Sequence, residues 1–266
     1  MSLVSVASVS DHVRVVTLDN PTRLNSLSFA LVSDLYATLA EVGADNGCRV
    51  VVLTGAGRAF CSGLELEHAG MPPGTEDMGR HRMGMRAMEY MGGIVPALRD
   101  LPQPVIAAIR GPAYGGGMCL TLGADIRLAG ESAVFCGAGI SNGLAGTELG
   151  VSWLLHRAVG TSHASEILLT GKKFGAEEAA RIGMVSQVLP DDELIDAAVA
   201  MAEGMCAFSP FGLALTKDTL WSAMEVGSLR AAVDLENRTQ LLAGHTGNLD
   251  EATAAFKQKR PPVYTE

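Results

Sequence analysis

The stretch Val50-Val-Val-Leu-Thr-Gly-Ala-Gly-Arg-Ala-Phe-Cys-Ser-Gly-Leu-Glu-Leu66 decides how the chain is read. It begins with three valines and a leucine and is bounded by Gly55. A short β-branched run of this kind reads as a strand buried on both faces. Val105–Ile109 repeats the pattern between Pro104 and Gly111-Pro112, and it too runs into glycines, in Gly111-Pro-Ala-Tyr-Gly-Gly-Gly-Met-Cys-Leu120. Ile126–Ala129 and Ala133–Cys136 read as further strands. Upstream, Val4–Val6 and Val13–Leu18 read as strands with a turn at Ser10-Asp11, and Asn20-Pro21 stops the second. Leu31, Leu35, Leu39 and Val42 recur at helical spacing. Strands alternating with helices predict an α/β sheet.

From about Glu148 the text turns helical. Ile195, Ala198, Val199, Ala202 and Met205 form one stripe, which Phe208-Ser-Pro210 breaks. Another helix follows through Trp221, and Ala231–Leu242 and Leu249–Gln258 read as two more. The segment Gly70–Gly84 holds Met71, Met78 and Met83, with Met85, Met88 and Met91 following. Methionine fills irregular apolar gaps, so these residues fit core filler and an adaptable pocket wall equally well.

Composition narrows the function classes. The 266 residues carry 20 Lys plus Arg against 29 Asp plus Glu, a net charge of −9, which argues against a nucleic-acid binder. The five cysteines are odd in number and none sit at C-x-x-C spacing, which disfavours a disulfide framework or zinc ribbon. Met1–Ser10 lacks a basic segment followed by an apolar one, and no apolar run approaches a membrane span, so a cytoplasmic protein is expected. The six histidines show no metal-ligand spacing, so no metal is expected. Glycine is the outlier, 31 residues or about 12% against an average near 7%.

The glycines concentrate in loops with chemical potential. The loop after Val50–Leu53 is not a dinucleotide fingerprint, because Phe60 stands at the third glycine position, and it has no Gly-Lys-Ser/Thr. The Gly115-Gly-Gly117 run enters an apolar stretch and reads as a helix start with bare backbone N–H groups. Two such loops converging on one oxygen would form an oxyanion hole. Gly139-Ile-Ser-Asn-Gly143 matches the hydrolase elbow G-x-S-x-G around Ser141, but Gly143-Leu-Ala-Gly146 is a poor helix start and no histidine is marked as its base. Glu148 reads either as a capping acid inside a helix start or as an acid–base in a cleft.

Taken in order, several segments resemble the enoyl-CoA hydratase/isomerase (crotonase) superfamily over nearly the whole chain. They are Asn20-Pro-Thr-Arg-Leu-Asn-Ser-Leu27, Thr54–Leu66, Ile109–Met118, Leu169-Thr-Gly-Lys, Ala179–Val185 and Phe256-Lys-Gln-Lys-Arg260. The resemblance implies stacked ββα units in a spiral over 1–200 and C-terminal helices over 201–266. Those helices would join chains into homotrimers, often paired as hexamers. It implies an acyl-CoA thioester as substrate and no separate cofactor, since coenzyme A arrives with the acyl group. By position it assigns the backbone N–H groups of Leu64 and Gly116 to an oxyanion hole. Arg23, Leu24, Ser62 and Leu64 would contact coenzyme A, with Phe256 and Lys259 reaching it from a neighbouring subunit.

The chain also departs from that pattern. Hydratases of the family carry two catalytic glutamates, and the matching positions here are Cys119 and Gly139. A thiol is a poor substitute, with a reference pKa of about 8.5 that burial raises. Glu148 sits near where isomerase and dehalogenase branches place a carboxylate. The expectation is an enoyl-CoA hydratase or isomerase with a non-standard site. A double-bond isomerase using Glu148 and a non-catalytic acyl-CoA binder are the alternatives.

Overall fold

The computed structural model describes residues 2–265. Strands β1 (Val4–Ser8), β2 (Val13–Leu18) and β3 (Val50–Gly55) lead to β4 (Val105–Ile109) and β5 (Pro112–Tyr114). Strands β6 (Ile126–Gly130), β7 (Val134–Cys136), β8 (Lys173–Gly175) and β9 (Gln187–Leu189) follow. The helices are α1 (Phe29–Ala44), α2 (Arg80–Gly92), α3 (Ile94–Arg99), α4 (Gly116–Gly123), α5 (Val151–Thr170), α6 (Ala176–Arg181), α7 (Leu194–Met205), α8 (Pro210–Ala223), α9 (Leu229–Gly244) and α10 (Asn248–Gln258). Six strands form one sheet in the order β1-β2-β3-β4-β6-β9, and β5-β7-β8 form a smaller one. In the large sheet only β1 runs antiparallel to its neighbour.

The valine runs are explained by burial on both sides. Every residue of β3 and β4 is buried. Alternate side chains divide between two cores: Val51, Leu53, Val105 and Ile109 face one, and Val50, Val52, Ile106 and Ala108 face the other. The first core receives Leu31, Leu35, Leu39 and Val42 of α1. The second is closed by Leu194, Ala198 and Ala202 of α7. Fully burying each such valine or leucine is worth about 1.5–3 kcal/mol. Residue 200, the expected limit of the core unit, falls inside α7, because the face of α7 belongs to the sheet.

Beyond α7 the helices bury little of themselves. No residue of α9 is fully buried, and α8 buries only Lys217. That lysine is an anchor: Nζ donates to the carbonyls of Leu98 (3.1 Å) and Gln103 (2.9 Å) and lies 3.2 Å from Asp125 Oδ2. Burial pulls its pKa down, and Asp125 opposes that. Among the described residues no single helix is long and apolar enough to cross a membrane.

The methionine segment corrects the core-filler reading. Only Met91 is buried; Met71, Met85 and Met88 are exposed. Met78 and Met85 instead line a cavity of about 400 Å³ with Arg82, Arg86 and Glu89.

Candidate active site

Three chain segments are stitched side by side. Residues 61–64, after β3, pair with the segment before α4 through a parallel bridge, Cys61 to Ala113. The Cys61 N–H donates to the Pro112 carbonyl (3.0 Å) and the Tyr114 N–H to the Cys61 carbonyl (3.0 Å). On the other side Leu64 bridges to Leu27, with the Leu27 N–H donating to the Gly63 carbonyl (2.7 Å). Each of the first two segments runs three residues past the Cys61–Ala113 bridge to reach Leu64 and Gly116. A Cβ built on Gly63 would stand 3.6 Å from the Gly116 amide nitrogen, so the residue next to Leu64 lies against Gly116. Among the described residues, neither the Leu64 nor the Gly116 N–H has a protein acceptor. Gly116 opens α4 as predicted, so its free amide is a helix-terminal donor.

This approach demands glycine at two points. Gly63 has φ +92°, and a Cβ there would lie 2.7 Å from the Tyr114 carbonyl oxygen. A Cβ on Gly117 would collide with the Cys61 carbonyl oxygen and lie 2.9 Å from the Cys61 Cβ.

Asn25, within the segment Asn20–Leu27, fastens the assembly, a role the sequence does not mark. It is fully buried at φ +55°. Its Nδ2 donates to the carbonyls of Ala56, Ala59 and Phe60 at 3.0, 2.8 and 3.2 Å, and its Oδ1 accepts from the Asn20 N–H at 2.9 Å. Ser26 adds a 2.6 Å bond to Glu65, which lowers the pKa of that carboxyl. Asparagine tolerates the left-handed region, which is why it can serve here. In the sequence its only sign is an Asn in a turn-like context.

The expected coenzyme A contacts divide. Arg23 and Leu24 stand on the loop that Asn25 holds, and the Ser62 N–H donates to the Leu24 carbonyl (3.0 Å), so these three are adjacent. The Arg23 guanidinium is exposed, 3.6 Å from Glu67. Phe256 and Lys259 lie at the end of α10, whose main contact is with α9, and Phe256 is 85% exposed.

Glu148 lies ahead of α5, not inside it, which corrects the capping-acid reading. The turn after it uses Leu149 (φ +47°) and Gly150 (φ +84°), and α5 starts only at Val151. Its carboxylate reaches the glycine loop, where Oε1 would be 3.0 Å from a Cβ on Gly115. Leu149 packs toward Gly116, with Cδ2 3.7 Å from a Cβ built there. Burial holds the Glu148 carboxyl above its ordinary pKa.

Cys119 sits beneath, buried, with Sγ donating to the Glu148 carbonyl oxygen at 3.6 Å. Burial and the Glu148 charge push that thiol well above its ordinary pKa, and burial pushes Cys61 up to about 12. Both thiols are therefore protonated at neutral pH and unsuited to nucleophilic attack. Gly139 is sealed, since a Cβ there would collide with the Ala145 carbonyl oxygen. Ser141 lies in a short 3-10 turn, Ile140–Asn142, separated from β7 before it and from α5 after it. The elbow geometry is thus absent, and among the described residues no histidine hydrogen-bonds to Ser141.

The fold is thus an α/β mixed sheet with two glycine-rich loops presenting free amides beside one carboxylate. The family model for enoyl-CoA hydratase/isomerase matches residues 8–266, and the chain belongs to that family. The "Probable enoyl-CoA hydratase EchA12" of Mycobacterium tuberculosis H37Rv is 48% identical over 267 residues, covering 100% of this chain and 94% of that protein. A crystal structure of a "probable enoyl-CoA hydratase/isomerase" from Mycobacterium abscessus superposes with a TM-score of 0.93 at 41% identity, covering 99% of this chain and 98% of the other. A "monofunctional enoyl CoA isomerase" from M. smegmatis is 42% identical, with a TM-score of 0.75, covering 88% of this chain and 99% of that one.

Proposed function

We propose that the chain isomerises the double bond of enoyl-CoA thioesters, with Glu148 as its single carboxylate acid–base. The observation that carries this is the placement of one carboxylate against Gly115, beside two unpaired amides, while position 139 is closed by the Ala145 carbonyl.

The thioester oxygen of a 3-enoyl-CoA accepts hydrogen bonds from the Leu64 and Gly116 N–H groups. Glu148 takes a proton from the carbon next to the carbonyl. Negative charge moves to the oxygen, where fixed donors are worth about 2.7–4 kcal/mol each. Glu148 then returns the proton two carbons further along, and the 2-enoyl-CoA leaves. A carboxyl with a raised pKa suits this exchange, because it must both accept and give up the proton. Hydration would also require a positioned water and a second proton carrier, and Cys119 cannot serve as one.

Arg23, Leu24 and Ser62 flank the mouth where the nucleotide of coenzyme A docks. Phe256 and Lys259 complete that dock from a second protomer in a homotrimer built through α8–α10. Exposed Leu220, Leu229, Leu249 and Phe256 on those helices support such an assembly. No cofactor is required beyond the coenzyme A carried by the substrate.

The test is turnover of 2-enoyl-, 3-enoyl- and dienoyl-CoA esters with product detection by mass spectrometry. Wild type is expected to convert 3-enoyl to 2-enoyl esters, and Glu148→Gln to lose roughly 10²–10⁴-fold. Equal rates remove Glu148 from the mechanism. Water addition by the wild type overturns the isomerase assignment. Tight ester binding in calorimetry with no turnover makes the chain an acyl-CoA binding protein.

A further inference from the structure

The turn that carries Glu148 is strained and weakly backed. Leu149 and Gly150 occupy the left-handed region in succession, which a leucine adopts only when its surroundings enforce it. Yet one side of this turn borders a cavity of about 250 Å³, lined by Leu149, Gly150 and Trp153. Close packing does not hold the turn on that side.

Trp153, in the first turn of α5, stands beside it, and its backbone N–H donates to the Gly150 carbonyl (3.0 Å). The Arg157 guanidinium stands 3.7 Å from the centre of its ring and that of Arg99 stands 5.0 Å away. Arg99, at the end of α3, also stacks on Trp221 of α8 at 3.9 Å. Trp221 donates its ring N–H to Asp125 Oδ1 (2.6 Å), and Asp125 Oδ2 accepts the Val105 N–H (2.7 Å) at the start of β4. A chain of planar groups therefore runs from the sheet, through α8, to the residues beside Glu148. Stacking is the main thing Arg99 does: its Nε is buried without a hydrogen-bond partner, and its ion pair is a 3.7 Å contact to an exposed Glu225. The mechanism above uses none of these residues.

We propose that Arg99 and Trp153 are positioning residues, whose stack fixes the Leu149–Gly150 turn and so aims the Glu148 carboxylate. The inference rests on Glu148 acting as acid–base. It makes α8, an element outside the glycine loops, a determinant of rate. Cation–π contacts strengthen when desolvated, as Arg99 is beneath Trp221.

The experiment compares Arg99→Met, Trp153→Ala, Trp153→Phe and Glu148→Gln. Two quantities are read: kcat and KM on a 3-enoyl-CoA, and hydrogen exchange of backbone amides 147–152. Arg99→Met and Trp153→Ala are expected to lower kcat about tenfold, roughly 1.4 kcal/mol, while KM stays within about twofold. Exchange at 147–152 speeds up while the sheet stays protected. Trp153→Phe keeps an aromatic face and most of the volume, so it recovers most of the rate and holds the test if Trp153→Ala folds poorly. Unchanged exchange at 147–152 overturns the proposal, as does faster exchange spread evenly over the sheet. If Glu148→Gln keeps the wild-type rate, the acid–base reading fails, and the exchange data alone decide whether the stack holds the turn.

Discussion

The two sides of the candidate site are built from different materials. The amide side is backbone: two loops zipped by a parallel bridge, with glycines where the chains press together and Asn25 buried among their carbonyls. The carboxylate side is one side chain on a strained turn, between a sealed glycine and a cavity. A backbone device is insensitive to the side chains it carries and intolerant of any added atom. A side-chain device is the reverse. It can be chemically edited without loss of fold, and it depends on distant props for its aim.

Substitutions break that contrast in order of size. Gly117→Ala places a methyl against the Cys61 carbonyl and forces the loops apart. Activity is expected to fall by roughly 10²–10³, the loss typical of a displaced oxyanion donor. Steady-state rates beside a thermal melt check this, and a near-normal rate means the loops can separate without harm. Asn25→Ala leaves the buried carbonyls of Ala56, Ala59 and Phe60 without their shared donor. It is expected to destabilise by about 3 kcal/mol in denaturant unfolding, since each orphaned buried group costs about 1–3 kcal/mol.

Glu148→Gln is the counterpart on the other side, and its effect on stability is opposite in sign. Burial raises the folded pKa of Glu148, so the ionised carboxylate opposes folding above that pKa, and the penalty disappears as pH falls below the unfolded value. The variant should melt higher than wild type near pH 7, and the gap should close below pH 4.5, the ordinary value. Melts across that range decide it; a lower melting temperature at pH 7 contradicts the burial argument. The smallest effect lies in α10 and the tail after it. Arg260 and the Val263 N–H lower the Glu251 pKa to about 2. That contribution is complete above the ordinary 4.5 and fades as pH falls toward 2. The tail at Arg260–Val263 should loosen across this window with the sheet intact, as amide exchange can show.

How much the sequence disclosed follows from range. Val13–Leu18 and Val105–Ile109 are strands with the very limits that the valine runs predict, because burial on both faces leaves an unbroken apolar signal. The strands β5, β8 and β9, of three residues each, are too short to carry a period in the sequence. In the methionine segment the inward stripe Met83, Ala87, Tyr90 and Met91 is masked, because Met85 and Met88 on the exposed face of α2 are equally apolar. At the site, glycine clusters announced the loops. Asn25 stayed hidden because the carbonyls it donates to lie 31 to 35 residues away. The Arg99 stack stayed hidden because Trp153 and Trp221 are distant in sequence and neither lies in a motif.

The Cys61–Ala113 bridge has a consequence for how the protein can change over time. The bridge holds the two glycine loops at the spacing of paired backbone, roughly 4.8 Å between strands. The segment from Met71 to Met91 follows the first loop without taking part in that pairing. Its methionines can be exchanged while the two amides keep their separation. Side chains outside the paired backbone are free to drift, and the backbone that spaces the amides is not.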